Sequence, residues 1–169
     1  MMTGSMKNSW KACACALLAW WVLALPGARA AATVQPFEPD SLQEIVASQK
    51  GKPFVLLVWS LDCEYCQASM KTLVQEKRKR PTLRVVTLAT DSAADPQAVA
   101  MMRNKLSSVG LTSHAWAYGE APPEQLRYAL DPGWHGEKPR SYWFDGRARK
   151  KAYSGVITPA VIEKMMGRD

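Results

Sequence analysis

Cys63 and Cys66 are the residues of this 169-residue chain best suited to do chemistry. The chain holds four cysteines, and the other two, Cys13 and Cys15, lie in an apolar run near the N-terminus. Two thiols three positions apart close a loop so small that crosslinking them removes little unfolded-state entropy. They would make a poor staple. Zinc normally takes four ligands, and one C-x-x-C supplies two. The only histidines, His114 and His135, are not at ligand spacing from each other. Thiol–disulfide exchange explains the pair best. Carriage of Cu(I) by the same two thiolates, with His135 assisting, is the competing reading from another class.

The elements that must position this pair are legible around it. "PFVLLVWS" is a short, continuously apolar run, the pattern of a strand buried on both faces. After the cysteines, Cys66, Met70, Leu73 and Val74 recur at helical spacing, and that helix is expected to end before Pro81. A helix N-terminus offers unpaired N–H groups and the positive end of a dipole, and both stabilise a thiolate. Cys63 is therefore expected to be the exposed, attacking sulfur, with a pKa below the free value of about 8.5. Cys66, one turn into the helix, is expected to be shielded and to resolve the mixed disulfide. Asp62 and Glu64 flank the pair, and exposed acids there oppose the thiolate more than they help it.

The rest of the chain reads as one domain behind an export signal. Lys7 and Lys11 precede the apolar run "ACACALLAWWVLAL", and Ala28-Arg29-Ala30 makes an A-x-A cleavage site. The run is shorter than the roughly 20 residues a membrane span needs, so residues 1–30 read as a signal peptide. An uncleaved N-terminal anchor is the alternative. Residues 31–40 read as a leader and residues 41–169 as the folded domain, exported to a compartment where disulfides form. Loss of Lys7, Lys11 and Arg29 lowers the formal charge from +7 to +4, a weak excess that argues against nucleic acid. The dense basic run Lys77 to Arg80 reads as a solvated helix end. A monomer is expected.

Further elements follow in order. "SLQE" places Ser41 and Glu44 at capping-box spacing before a helix ending near Gly51. "LRVVTLAT" reads as a second buried strand, and Asp95-Pro96 starts a helix with the stripe Val99, Met102, Leu106, Val109 and its stop at Gly110. "HAWAY" reads as a short strand and "PPEQLRYAL" as a short helix. Extended runs on both sides of Asp145-Gly146 signal a hairpin, and Thr158 caps a last helix. Alternation early and a hairpin late imply an α/β domain, a mixed sheet with helices on both faces.

"FVLLVWSLDCEYC" resembles the active-site strand and loop of the thioredoxin superfamily, with Trp59 four residues before Cys63, where that family has its tryptophan. "KPRSYWFDGRARKKAYSG" resembles the family's cis-proline segment. The resemblance spans roughly residues 41–166, and with the export signal and the long segment between Asp91 and Pro139 it is nearest to the TlpA-like periplasmic thioredoxins. It implies a thioredoxin-like fold and a redox-active Cys63–Cys66 disulfide, with no metal and no other cofactor. It also implies a cis Pro139 that orients substrate beside the sulfurs, with Lys138 pairing its backbone to the substrate chain. Lys138 either brings positive charge to Cys63 or points its head into water. Trp134 either joins the core or lines a substrate groove beside Tyr65. The implied partners are periplasmic protein disulfides, a membrane electron donor and cytochrome c maturation proteins; disulfide oxidase or isomerase chemistry uses the same atoms. The chain departs from the family at Leu57 and Ser69, where an acid is usual, and at Lys71, where a proline is usual.

Overall fold

The computed structural model describes Met1 and residues 32–167. The signal peptide assigned to residues 1–30 lies outside the described residues, Met1 apart. In chain order the elements are β1 (Val34–Phe37), α1 (Ser41–Ser48), β2 (Phe54–Trp59), α2 (Glu64–Lys79), β3 (Val85–Ser92) and α3 (Pro96–Val109). There follow β4 (Ala115–Tyr118), α4 (Pro123–Leu130), β5 (Arg140–Phe144), β6 (Lys150–Ser154) and α5 (Pro159–Met166). The six strands form one sheet in the order β1-β4-β3-β2-β5-β6. Strands β1 to β4 run parallel, and β5 and β6 run antiparallel to their neighbours. The mixed sheet expected from the sequence is the sheet observed.

β2 sits at the centre, with every residue buried. Its pleat sends alternate side chains to opposite faces and so divides the core in two. Val55, Leu57 and Trp59 pack with Cys66, Met70 and Leu73 of α2, Met102 and Leu106 of α3, and Ile162 of α5. Leu56 and Val58 pack on the other face with Ile45 of α1 and Leu126 and Leu130 of α4. Each fully buried aliphatic side chain of this strand contributes about 1.5–3 kcal/mol relative to exposure. Helices therefore cover both faces. No helix of the described residues is long and apolar enough to cross a membrane.

Three local expectations are corrected. Residues 34–37, read as leader, form the edge strand β1, paired residue for residue with β4. "VQPF" is too short and too polar to announce a strand; its partner supplies the pattern. The capping box at Ser41 and Glu44 is not formed. Asp40 occupies the cap position, and the Ser41 hydroxyl accepts from Glu38 N at 2.9 Å, closing the tight turn out of β1. The hairpin at Asp145-Gly146 is wider than a two-residue turn, since Phe144 pairs with Lys150. The Asp145 carboxylate accepts from Arg147 N and Arg149 N, and Ala148, not Gly146, takes the positive φ of 58°. Gly146 is favoured for a different reason: a Cβ there would stand 3.1 Å from the Gly51 carbonyl oxygen, a tight approach.

Candidate active site

The site lies where β2 hands over to α2. Cys63 is the N-cap of α2, in an extended conformation, and its Sγ accepts a hydrogen bond from Cys66 N at 3.2 Å. Cys63 is partly exposed and Cys66 fully buried, joined as a disulfide. The asymmetry follows from helix geometry: the cap residue stands at the rim, and the residue one turn on points back into the core. Once reduced, Cys63 would carry its negative charge against the open N–H groups of the first turn. Cys63 at the rim and Cys66 shielded is the placement expected from the sequence.

The approach to Cys63 is held by polar contacts. Cys63 N donates to the Ser60 carbonyl at 3.2 Å, and the Ser60 hydroxyl donates to the Asp62 carboxylate. Leu61 N donates to Asp91 Oδ2 at 2.9 Å, which ties the loop to the end of β3. Asp62 is held below the ordinary carboxylate value, first by the Ser60 hydroxyl and then by the charge of Lys138. Glu64 is exposed on the first turn of α2.

The second half of the site is the segment entering β5. The Lys138–Pro139 peptide is cis, Pro139 is buried, and its carbonyl accepts from Gly155 N at 2.9 Å. Lys138 is half-buried at the mouth of the cysteine loop. Its Nζ donates to Thr90 Oγ1 at 3.1 Å, and its charge acts on Asp62. Thr90 and Asp91 are consecutive residues of β3, so one strand end registers both halves of the site, Thr90 holding Lys138 and Asp91 holding the cysteine loop. Sequence reasoning missed this pair. The signal available was two polar residues at the carboxyl end of a buried parallel strand, the usual place for a site in such sheets.

Arg140, next after Pro139, anchors the segment from below. Its guanidinium donates to Asp131 Oδ2 at 2.9 Å, Glu137 Oε1 at 3.1 Å and Ser154 Oγ at 2.6 Å. Burial alone would raise the Asp131 carboxyl; hydrogen bonds led by that from Arg140 outweigh it and hold the group below its ordinary value. The Arg127 guanidinium adds a hydrogen bond to the Trp134 carbonyl.

The groove of Tyr65 and Trp134 is not formed. Trp134 is 1% exposed in the core cluster shared with α1 and α4, and its indole N–H donates to the Glu137 carbonyl at 2.9 Å. It floors a cleft of about 200 Å³ lined also by Thr90, Tyr118, Arg127 and Lys138. Tyr65, 69% exposed, belongs to a separate depression along α2 with Glu64 and Lys71. Burial of the indole gains its large apolar area while the Glu137 carbonyl satisfies its N–H. Trp59 is likewise core, packed with Cys66. His135 joins no cluster with the cysteines: among the described residues no three His, Cys, Asp or Glu side chains converge as a metal site.

The three departures noted in the sequence have structural outcomes. Leu57 is fully buried on the Cys66 face of the sheet. Ser69 is also fully buried, and its hydroxyl accepts from Ile157 N at 3.0 Å while donating to the Tyr65 carbonyl. It bridges α2 to the chain leading into α5, work a carboxylate could not do without burying its charge. Lys71 is exposed on α2, which runs unbroken from Glu64 to Lys79.

The strand order, the C-x-x-C at the β2–α2 junction and the proline entering β5 together define the thioredoxin fold, and the chain adopts it. Neither a protein-family model nor a curated relative matches the sequence. Solved structures do match. A secreted disulfide oxidoreductase of Mycobacterium tuberculosis aligns at TM-score 0.52 and 20% identity over 70% of this chain and 83% of that one. A DsbF homologue of Corynebacterium diphtheriae aligns at TM-score 0.56 and 19% identity over 72% and 74%. A thiol:disulfide interchange protein of Chlorobium tepidum aligns at 0.52 and 20% over 70% and 80%.

Proposed function

We propose that this protein is an exported thiol–disulfide oxidoreductase of the TlpA-like kind that reduces protein disulfides in the periplasm. One observation carries the reading: a partly exposed Cys63 caps α2 while its disulfide partner Cys66 is fully buried. In the reduced protein the Cys63 thiolate attacks a substrate disulfide, forming one S–S bond and expelling one substrate thiolate. The Cys66 thiolate then attacks Cys63 Sγ, which re-forms the Cys63–Cys66 disulfide and releases the second substrate thiolate. Two electrons pass to the substrate, and a dithiol donor at the membrane restores the pair. Lys138 and Pro139 flank the substrate chain. Cytochrome c maturation proteins are among the thiol targets this reading covers. The solved relatives, described as secreted or disulfide-exchanging proteins, support the class.

Trapping tests the proposal. A Cys66→Ala variant cannot resolve, so incubation with oxidised insulin should accumulate a mixed disulfide on Cys63 that dithiothreitol reverses. Wild-type protein should reduce insulin catalytically and accumulate no adduct. Absence of both the adduct and the turnover would sink the reading.

A further inference from the structure

The two ends of the sheet carry opposite charge, and redox exchange does not require it. Because β1, β4, β3 and β2 are parallel, their carboxyl ends share the pole of Cys63 and their amino ends share the other. Asp62, Glu64, Asp91, Asp95, Glu120 and Glu124 lie at the cysteine pole, at a strand end, in the loops that follow strands or at helix starts, and outnumber its cations Lys138 and Arg140. The opposite pole is basic. The α1–β2 loop carries Lys50 and Lys52, the end of α2 carries the run 77–80, Arg84 precedes β3, and the hairpin tip carries Arg147 and Arg149. A helix dipole accounts for the run 77–80 alone.

These pieces form one surface. Gly51 lies against Gly146, and Arg84 Nε donates to Gln49 Oε1 at 2.9 Å. His114, at the same pole, has its pKa lowered by burial and then by the charges of Arg84 and Lys77. Compensation is partial. Glu76 takes Lys79 and Arg80, Glu163 takes Arg80, and Asp145 takes Arg149. Lys50, Lys52, Arg78 and Arg147 are exposed and in no ion pair among the described residues. The chain also enters the domain here: Val34 opens β1 opposite Ala115, next to His114. Ahead of it in the sequence stands the apolar run of residues 12–25.

We propose that this basic pole docks on an anionic lipid bilayer and holds the Cys63 pole facing away from it. Lys and Arg side chains near an anionic surface are attracted within about a Debye length, roughly 10 Å. The apolar run precedes the domain at this same pole, so an uncleaved N-terminus would add a tether in the orientation that the charge favours. The acid-rich pole is repelled by the same surface. The inference stands apart from the redox chemistry.

Partition of the full chain into vesicles tests it. The vesicles are phosphatidylcholine alone or with about 30% phosphatidylglycerol. At about 50 mM NaCl the anionic lipid should raise the partition coefficient by about tenfold or more, and about 500 mM NaCl should remove the gain. The combined variant Lys50→Gln, Lys52→Gln, Arg78→Gln and Arg147→Gln should lose most of that gain while still reducing insulin. A control with Lys71→Gln and Arg103→Gln, midway along α2 and α3, should keep it. If the fourfold variant does not fold, Lys52→Gln with Arg147→Gln, both in loops, should show about half the loss. Equal partition of the wild type on both vesicles, or a gain that survives the pole substitutions, would overturn the proposal.

Discussion

Two helices begin at the same edge of the sheet, after adjacent parallel strands, and each is capped by its own side chain. At α3 the cap is the Asp95 carboxylate, accepting from Gln97 N at 2.8 Å. At α2 it is the Cys63 sulfur, accepting from Cys66 N at 3.2 Å. The fields are alike; the groups placed in them are not. A carboxylate is ionised at neutral pH with or without the helix, so its capping stabilises only the fold. A thiol titrates near 8.5, so the same stabilisation changes how much nucleophile is present. One helix end is architecture and the other is chemistry, and the difference is a single side chain.

The largest way to sharpen this contrast is to exchange the caps for serine. Cys63→Ser should lower insulin reduction by about three orders of magnitude or more, as removal of a covalent nucleophile does. Asp95→Ser should leave it unchanged. Next comes anchoring, where α2 depends on a buried hydroxyl. Ser69→Ala would leave Ile157 N without its partner and should cost about 1–3 kcal/mol in urea denaturation. Asp95→Ala should cost about 1 kcal/mol, with no change in the alkylation rate of Cys63. A parallel loss of thiol reactivity there would break the contrast.

The smallest effect is electrostatic. The folded-state pKa of Asp62 lies below its ordinary value of 3.8, depressed by Ser60 and then Lys138. The stability it adds is present above 3.8 and is lost as pH falls through the lower folded value. Lys138→Met should move the Asp62 midpoint up toward 3.8, read by carboxyl NMR, and stop short of it because the Ser60 bond remains. No movement would mean that Lys138 does not reach the cysteine loop.

What the sequence disclosed was local. The buried run of β2, the periodicity of α2 and the thiol spacing all act within a few residues, and each was readable. Asp95, Gly110 and Thr158 announced their helix ends for the same reason. The parts that stayed hidden depend on distant partners. β1 exists because β4 lies beside it, Thr90 and Asp91 matter because two loops meet at one strand end, and Trp134 is core because α1 and α4 close over it. Ser69 looked like a lost acid; its role depends on Ile157, 88 positions away. Capping at Ser41 failed because β1 altered the turn ahead of it.

The account rests on Cys63 being activated by the start of α2. The direct measurement is the pH dependence of iodoacetamide alkylation of the reduced protein, with the labelled site located by mass spectrometry. Alkylation should occur first at Cys63, with a midpoint clearly below about 8.5. First labelling at Cys66, or a Cys63 midpoint at or above that value, would contradict it.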